Sequence, residues 1–251
     1  MKPLLGTLLA TALLSAQAIP ARADDKNATA VLDKAIAALG GKEKLTKAGT
    51  ATWKGKGAIT INGDDNPIKT KAVVQGIDRH RAEFEGEFGG NEIKGVTVLV
   101  GDKGWRKFGD DTRELDADAL ANEKHRAYLQ VVPMTILPLQ GKGFKIEGVT
   151  EEKVDDKPAV TLKATGPDGK DFKLSFDKES GLPVRLVATA RGFQGEDYTQ
   201  ETTYSDYKDI DGLKKATKIA SKRDGMKFIT YEVSDFKVLD AVEPGTFDEP
   251  K

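Results

Sequence analysis

From Trp53 to Leu239 the chain is written mostly in short segments whose apolar and polar residues alternate. A period of two belongs to strands: successive side chains point to opposite faces, so one face is apolar and the other meets water. In Arg81–Phe88, the residues Ala82, Phe84, Gly86 and Phe88 alternate with Arg81, Glu83, Glu85 and Glu87. In Asp171–Asp177, Phe172, Leu174 and Phe176 alternate with Lys173, Ser175 and Asp177. Trp53–Ile61, Ile93–Val100 (grouping Val96, Val98 and Val100) and Ala159–Ala164 follow the same rule, and further segments bring the strands to about eleven or twelve. The connections are short and rich in turn residues: Asn62 to Pro67, Asp102-Lys103-Gly104, Pro167-Asp168-Gly169, and Asp224-Gly225, a strong hairpin signal. Neighbouring strands therefore pair antiparallel. A single sheet of this length cannot stay flat, and its one apolar face must be covered. The expected class is α+β: one strongly curved antiparallel sheet, a half-barrel, with helices packed in its concave face.

One stretch breaks the ladder. Tyr128–Leu139 (YLQVVPMTILPL) is apolar without strand or simple helical periodicity, and it follows a helical pattern over Asp116–Gln130. It needs burial, and the concave side of the sheet is where a plug or lid would find it. Pro133 and Pro138 are expected to keep it from continuing as one long helix. At the other end of the ladder, Ala28, Val31, Leu32, Ala35, Ile36 and Leu39 form one helical stripe. Asn27 or Thr29 can cap this helix, Gly40-Gly41 can stop it, and a short turn around Lys42–Leu45 follows. Ala241–Lys251 reads as irregular.

The first 23 residues read as a cleavable export signal: Lys2, the apolar run Leu4–Ile19, then Ala21-Arg22-Ala23 as a cleavage site. Residues 24–251 are then one domain, soluble in the periplasm, with no membrane span and a monomer expected. Loss of Lys2 and Arg22 moves the net charge from −1 to −3, with both signs interleaved, which is no footprint for nucleic acid. The chain has no cysteine, which excludes disulfides, thiol catalysis, zinc–thiolate sites and a lipid anchor on cysteine.

Nothing in the sequence selects catalytic or metal chemistry. His80 and His125 have no companions at ligand spacing and are expected to be exposed or structural. The pairs Asp64-Asp65, Asp110-Asp111 and Asp155-Asp156 lack calcium-loop spacing and suit turns. Ser175, Ser205 and Ser234 lack a nucleophile-elbow context. Gly55-Lys56-Gly57 and Phe88-Gly89-Gly90 fit bulges or strand bends. Arg81 shares a face with Glu83, so an ion pair on the strand surface is expected. No cofactor and no metal are called for. The aromatics Trp53, Phe84, Phe88, Trp105, Phe172 and Phe176 fall on or near the apolar faces, as core or as the wall of an apolar pocket.

Several segments resemble the LolA/LolB-like lipoprotein-carrier superfamily of exported bacterial proteins. They are Ala37 to Leu45 (AALGGKEKL), Val98 to Trp105 (VLVGDKGW), Tyr204 to Leu213 (YSDYKDIDGL), and Asp235 to Asp240 running on to Phe247. The resemblance implies a half-barrel of about eleven strands around helices, and a cavity for the acyl chain of a lipid or lipoprotein, received from donor and passed to acceptor envelope proteins. It places Asp116–Leu139 where such carriers have gating helices. The residues expected to line the cavity are Trp53, Phe84, Phe88, Trp105, Leu129, Val132, Met134, Ile136 and Leu137. Two other readings stay open: an envelope interaction module whose hollow is filled by its own side chains, and a hydrolase with carboxylates or a serine in the cleft.

Overall fold

The computed structural model describes residues 23–192 and 195–251. Two helices come first, α1 (Ala23–Leu39) and α2 (Lys42–Ala48). Six strands follow: β1 (Thr50–Ile61), β2 (Asp64–Gln75), β3 (Arg79–Phe88), β4 (Asn91–Val100), β5 (Lys103–Phe108) and β6 (Asp111–Glu114). Helix α3 (Ala117–Thr135) and a 3-10 turn (Leu137–Gln140) lead to β7 (Lys145–Val154), β8 (Lys157–Thr165), β9 (Asp171–Asp177), β10 (Pro183–Arg191), β11 (Asp197–Ile210), β12 (Leu213–Arg223) and β13 (Met226–Val238). All thirteen strands form one open sheet, ordered β6-β5-β4-β3-β2-β1-β13-β12-β11-β10-β9-β8-β7. Each pairing is antiparallel, including the central ladder of β1 on β13.

Thirteen strands exceed the expected eleven or twelve because β6 (DTRE) carries no apolar residue and so no alternation. β2 begins at Asp64, inside the stretch Asn62 to Pro67 expected as a turn. The turn ahead of it needs only Asn62 and Gly63, whose φ values of 52° and 92° are those of a two-residue hairpin. Asn27 and Thr29 lie inside α1, which is already helical at Ala23, so neither caps it. The expected signal, residues 1–23, lies almost wholly outside the described residues. Among those described, no helix is long and apolar enough to cross a membrane.

The strand order makes α3 the bridge across the hollow. β1 to β6 step outward from the centre to one edge, and β7 to β13 step back from the other. Among the described residues, α3 and its 3-10 turn alone carry the chain between the edges. Asp116 caps α3, its carboxylate accepting from Ala119 N–H at 2.8 Å. Contrary to expectation, the helix continues through Pro133 to Thr135. The break falls at Ile136, a fully buried β-branched residue at φ 62°. Such a residue takes the left-handed region only where its surroundings fix it, and here its N–H still bonds Val132 O at 2.8 Å.

The main core gathers α1, the inner face of α3 and the concave face of β8 to β10, with Phe172, Leu174, Phe176 and Leu162 at its centre. A second, smaller cluster lies on the convex side: Val73, Val98 and Phe247, flanked by Val96, Val100, Trp105, Leu239 and Val242. The irregular C-terminal tail is thus folded back over β2 to β5. Thr246 O accepts from Arg81 Nη1 at 3.3 Å and Pro250 O from Thr112 Oγ1 at 3.2 Å. Arg81 also pairs with Glu83 at 2.6 Å, as its position on the strand implied.

Candidate ligand cavity

The concave side is not filled throughout. Under α3, between β1 to β5 on one side and β10 to β13 on the other, lies a cavity of about 880 Å³, near the upper end of the roughly 300–1,000 Å³ usual for ligand pockets. On one wall, Phe84 lies over Gly95 and Phe88 over Gly86, where any Cβ would strike the ring. The far wall carries Tyr198, Tyr204, Ile219 and Tyr231. Tyr231 lies against Gly55 and Gly57 of β1. Gly55 therefore makes room for the ring and Gly57 for the close approach of the β13 backbone, and the irregularity in β1 falls earlier, between Thr52 and Lys54. Gly89 and Gly90 form the β3–β4 turn, at φ 57° and 82°. Rings lying flat over glycines keep the sheet apolar without using up the depth of the hollow.

The cavity has a closed and an open end. Leu39 and Trp53 lie at the closed end, beneath α1 and α2. There the backbone of Gly40 is packed on Gly212, and Lys44 Nζ donates to Asp211 O at 3.2 Å. At the other end of the strands, Ile61 and Phe108 line the mouth with 44% and 53% of their surface exposed.

Of the nine residues expected as lining, Trp53, Phe84, Phe88, Leu129 and Met134 are on the cavity wall. Four are elsewhere. Trp105 packs in the convex cluster, because the residue of β5 facing the hollow is Phe108, three positions on and of opposite parity. Val132 and Ile136 are fully buried in the main core, and Leu137 packs against it half-buried. The helical period explains the split. Glu123, Arg126, Gln130, Pro133 and Met134 share the face toward the cavity, while Tyr128, Val131, Val132 and Thr135 turn away from it.

Neither histidine is exposed. His125 is completely buried and fastens α3 to the sheet. Its Nδ1 lies 2.7 Å from Asp168 Oδ2 and its Nε2 3.0 Å from Thr189 O, while Tyr128 Oη donates to Asp168 Oδ1 at 2.8 Å. Burial alone would raise the Asp168 carboxyl, but the bonds from His125, Tyr128 and the Lys170 N–H outweigh it and hold it at about 2. His80 sits on the other side of the helix, its Nε2 donating to Gln130 Oε1 at 2.8 Å, with burial lowering its pKa. Both roles are structural. Among the described residues no group of three or more metal-ligating side chains converges.

The charges lining the cavity are lopsided. Arg106, Arg126, Lys214, Lys215 and Arg223 face a single carboxylate, Glu123. Glu123 is bound by Arg106 at 2.6 Å and by Arg126 at 3.5 Å. Arg223 stacks over Phe228, 3.4 Å from the ring centroid, and over Tyr198 at 4.3 Å. Sequence reasoning missed these basic residues and the tyrosines, since only the pairing of β11 to β13 and the crossing of α3 over the sheet bring them together.

An open antiparallel sheet curled around its own helices, with a roofed apolar hollow, is the LolA-like fold. No family model matches the chain, and neither does any curated protein. Solved structures do. A DUF1329-family protein from Desulfovibrio piger superimposes with a TM-score of 0.55 at 15% identity, over 88% of this chain and 96% of that one. A LolA-superfamily protein from Nitrosomonas europaea gives 0.52 at 12%, over 80% and 94%. An outer membrane lipoprotein-sorting protein domain from Vibrio parahaemolyticus gives 0.53 at 11%, over 86% and 97%.

Proposed function

We propose that the protein is an exported, periplasmic binding or carrier protein that shields the acyl chain of a lipid or lipoprotein from water, without catalysis. The observation that carries this reading is the hollow itself. It is apolar, large and unfilled, with the half-exposed Ile61 and Phe108 at its mouth and the apolar residues Leu129, Pro133 and Met134 in its roof. A module that bound partners only through its outer surfaces would have no reason to leave such a space open. The lipoprotein-sorting domain among the similar folds supports the same assignment. The amino-terminal export signal, cleaved after Ala23, and the single domain that follows belong to this proposal. So does hand-over between donor and acceptor proteins of the envelope.

Affinity comes from burial, at about 0.8 kcal/mol per methylene removed from water. Release requires α3 to move or a partner to offer a competing apolar groove. Saturable binding of a fluorescent fatty acid by delipidated protein, and lipid co-purifying from the periplasm by mass spectrometry, are the expected results. Absence of both would sink the proposal.

A further inference from the structure

Lys215 is out of keeping with its surroundings. It lines the cavity, and its Nζ lies 5.2 Å from the Trp53 ring centroid and 4.9 Å from that of Phe236. It forms no ion pair and no hydrogen bond with any described residue. Other lysines nearby are committed: Lys44 to Asp211 O, and Lys214 to Asp209 at 3.3 Å. Part of the Lys215 surface is accessible, yet protein surrounds the side chain deeply, as befits a group facing an internal space. Burial brings its amine down to about 7. Two aromatic faces soften the loss of water but do not replace a counter-ion.

Given the reading of the hollow as an acyl-chain site, on which this rests, we infer that its ligand is a single-chain carboxylic acid whose carboxylate pairs with Lys215 at the closed end. Three observations converge. The amine is unpaired and lies beside Trp53, deep in the cavity and away from the mouth. Arg106, Arg126, Lys214, Lys215 and Arg223 border the hollow against the one carboxylate of Glu123, in a chain whose overall charge is −1, so the interior favours an anion. The end beneath α1 and α2 is closed, with rings beside the amine, which suits a small head entering first with its chain trailing toward Ile61 and Phe108. A diacyl phospholipid would have to bring a bulky headgroup through the same apolar passage.

The test uses delipidated protein near neutral pH and compares palmitate, hexadecanol and phosphatidylglycerol as competitors of a fluorescent fatty acid. Palmitate is expected to bind about ten- to a hundredfold more tightly than hexadecanol, the worth of one charge-assisted bond. Lys215→Met should bind hexadecanol as the unaltered protein does, which also shows that it folds, while palmitate falls to the level of the alcohol. Lys215→Arg should keep the preference. Equal binding of acid and alcohol, a preference that survives in Lys215→Met, or displacement by phosphatidylglycerol as strong as by palmitate would each overturn the inference while leaving an acyl-chain site in place. If none of the three competitors displaces the probe, the acyl-chain reading itself falls.

Discussion

The two sides of the hollow are built from the same alternating strands yet end in opposite states. Under β8 and β9 the space is full: Phe172, Leu174, Phe176 and Leu162 are all buried in the core that α1 and α3 cover. Under β1 to β5 it is empty, and rings of the same type line a cavity instead. The difference lies in what α3 offers each side. Toward the filled side it turns Tyr128, Val131 and Val132, and it is fastened there by His125 to Asp168 and Thr189. Toward the empty side it has the bond from Gln130 to His80 and two ion pairs, Arg106–Glu123 and Lys124–Asp102. One side holds the fold together and the other keeps room for a guest.

Substitutions should separate the two sides, the largest effect coming from the filled one. Phe172→Ala should cost about 3–5 kcal/mol in denaturant unfolding, the usual penalty for an emptied aromatic core site. Phe84→Ala should cost about 1 kcal/mol, because its ring already borders empty space. Equal costs would erase the distinction. Next comes the helix fastening. Asp168→Asn should lower stability, and the effect should depend on pH. The Asp168 carboxyl is held at about 2 in the fold, below its unfolded value of roughly 3.9. Its contribution is therefore fully present above that unfolded value and fades as pH falls toward the folded one. Melting curves of the two proteins should differ by a constant amount above about pH 5 and converge between about pH 4 and 2. A gap undiminished at pH 2 would assign the effect to packing.

On the empty side, ligand affinity should respond more than stability. Gly95→Val would push the Phe84 ring into the hollow. Titration with a fluorescent fatty acid should show affinity down about tenfold, for a stability loss of about 1–2 kcal/mol. The smallest effect belongs to Lys124→Ala. Its partner Asp102 is almost fully exposed, and water screens such a pair almost completely. Stability should hardly move while ligand exchange, followed by stopped flow, quickens. An unchanged rate would remove that pair from any gating role.

Alternation made the filled side legible in the sequence: Phe172, Leu174 and Phe176 sit where the period of two puts them. The same rule misled at β4 and β5. Apolar residues stand there on both faces, and only the folded-back tail, packed through Phe247, shows which face Val98 and Trp105 serve. The roof was legible as an apolar insert, but its end was not. Pro133 sits within the helix, and the turn is made at Ile136 by a backbone conformation that its side chain disfavours. Lys215 could not be picked out among its neighbours, because being unpaired is a property of the fold and not of the residue.

Helix α3 has a further consequence as a measure of length. It contains 19 residues, about 28 Å at 1.5 Å per residue, and it joins one rim of an otherwise unclosed sheet to the other. The gap between the rims cannot widen far beyond the reach of that rod and its short 3-10 extension. The helix thus acts as a built-in ruler for the bore, and adding or deleting one turn would set how thick a molecule the protein can enclose.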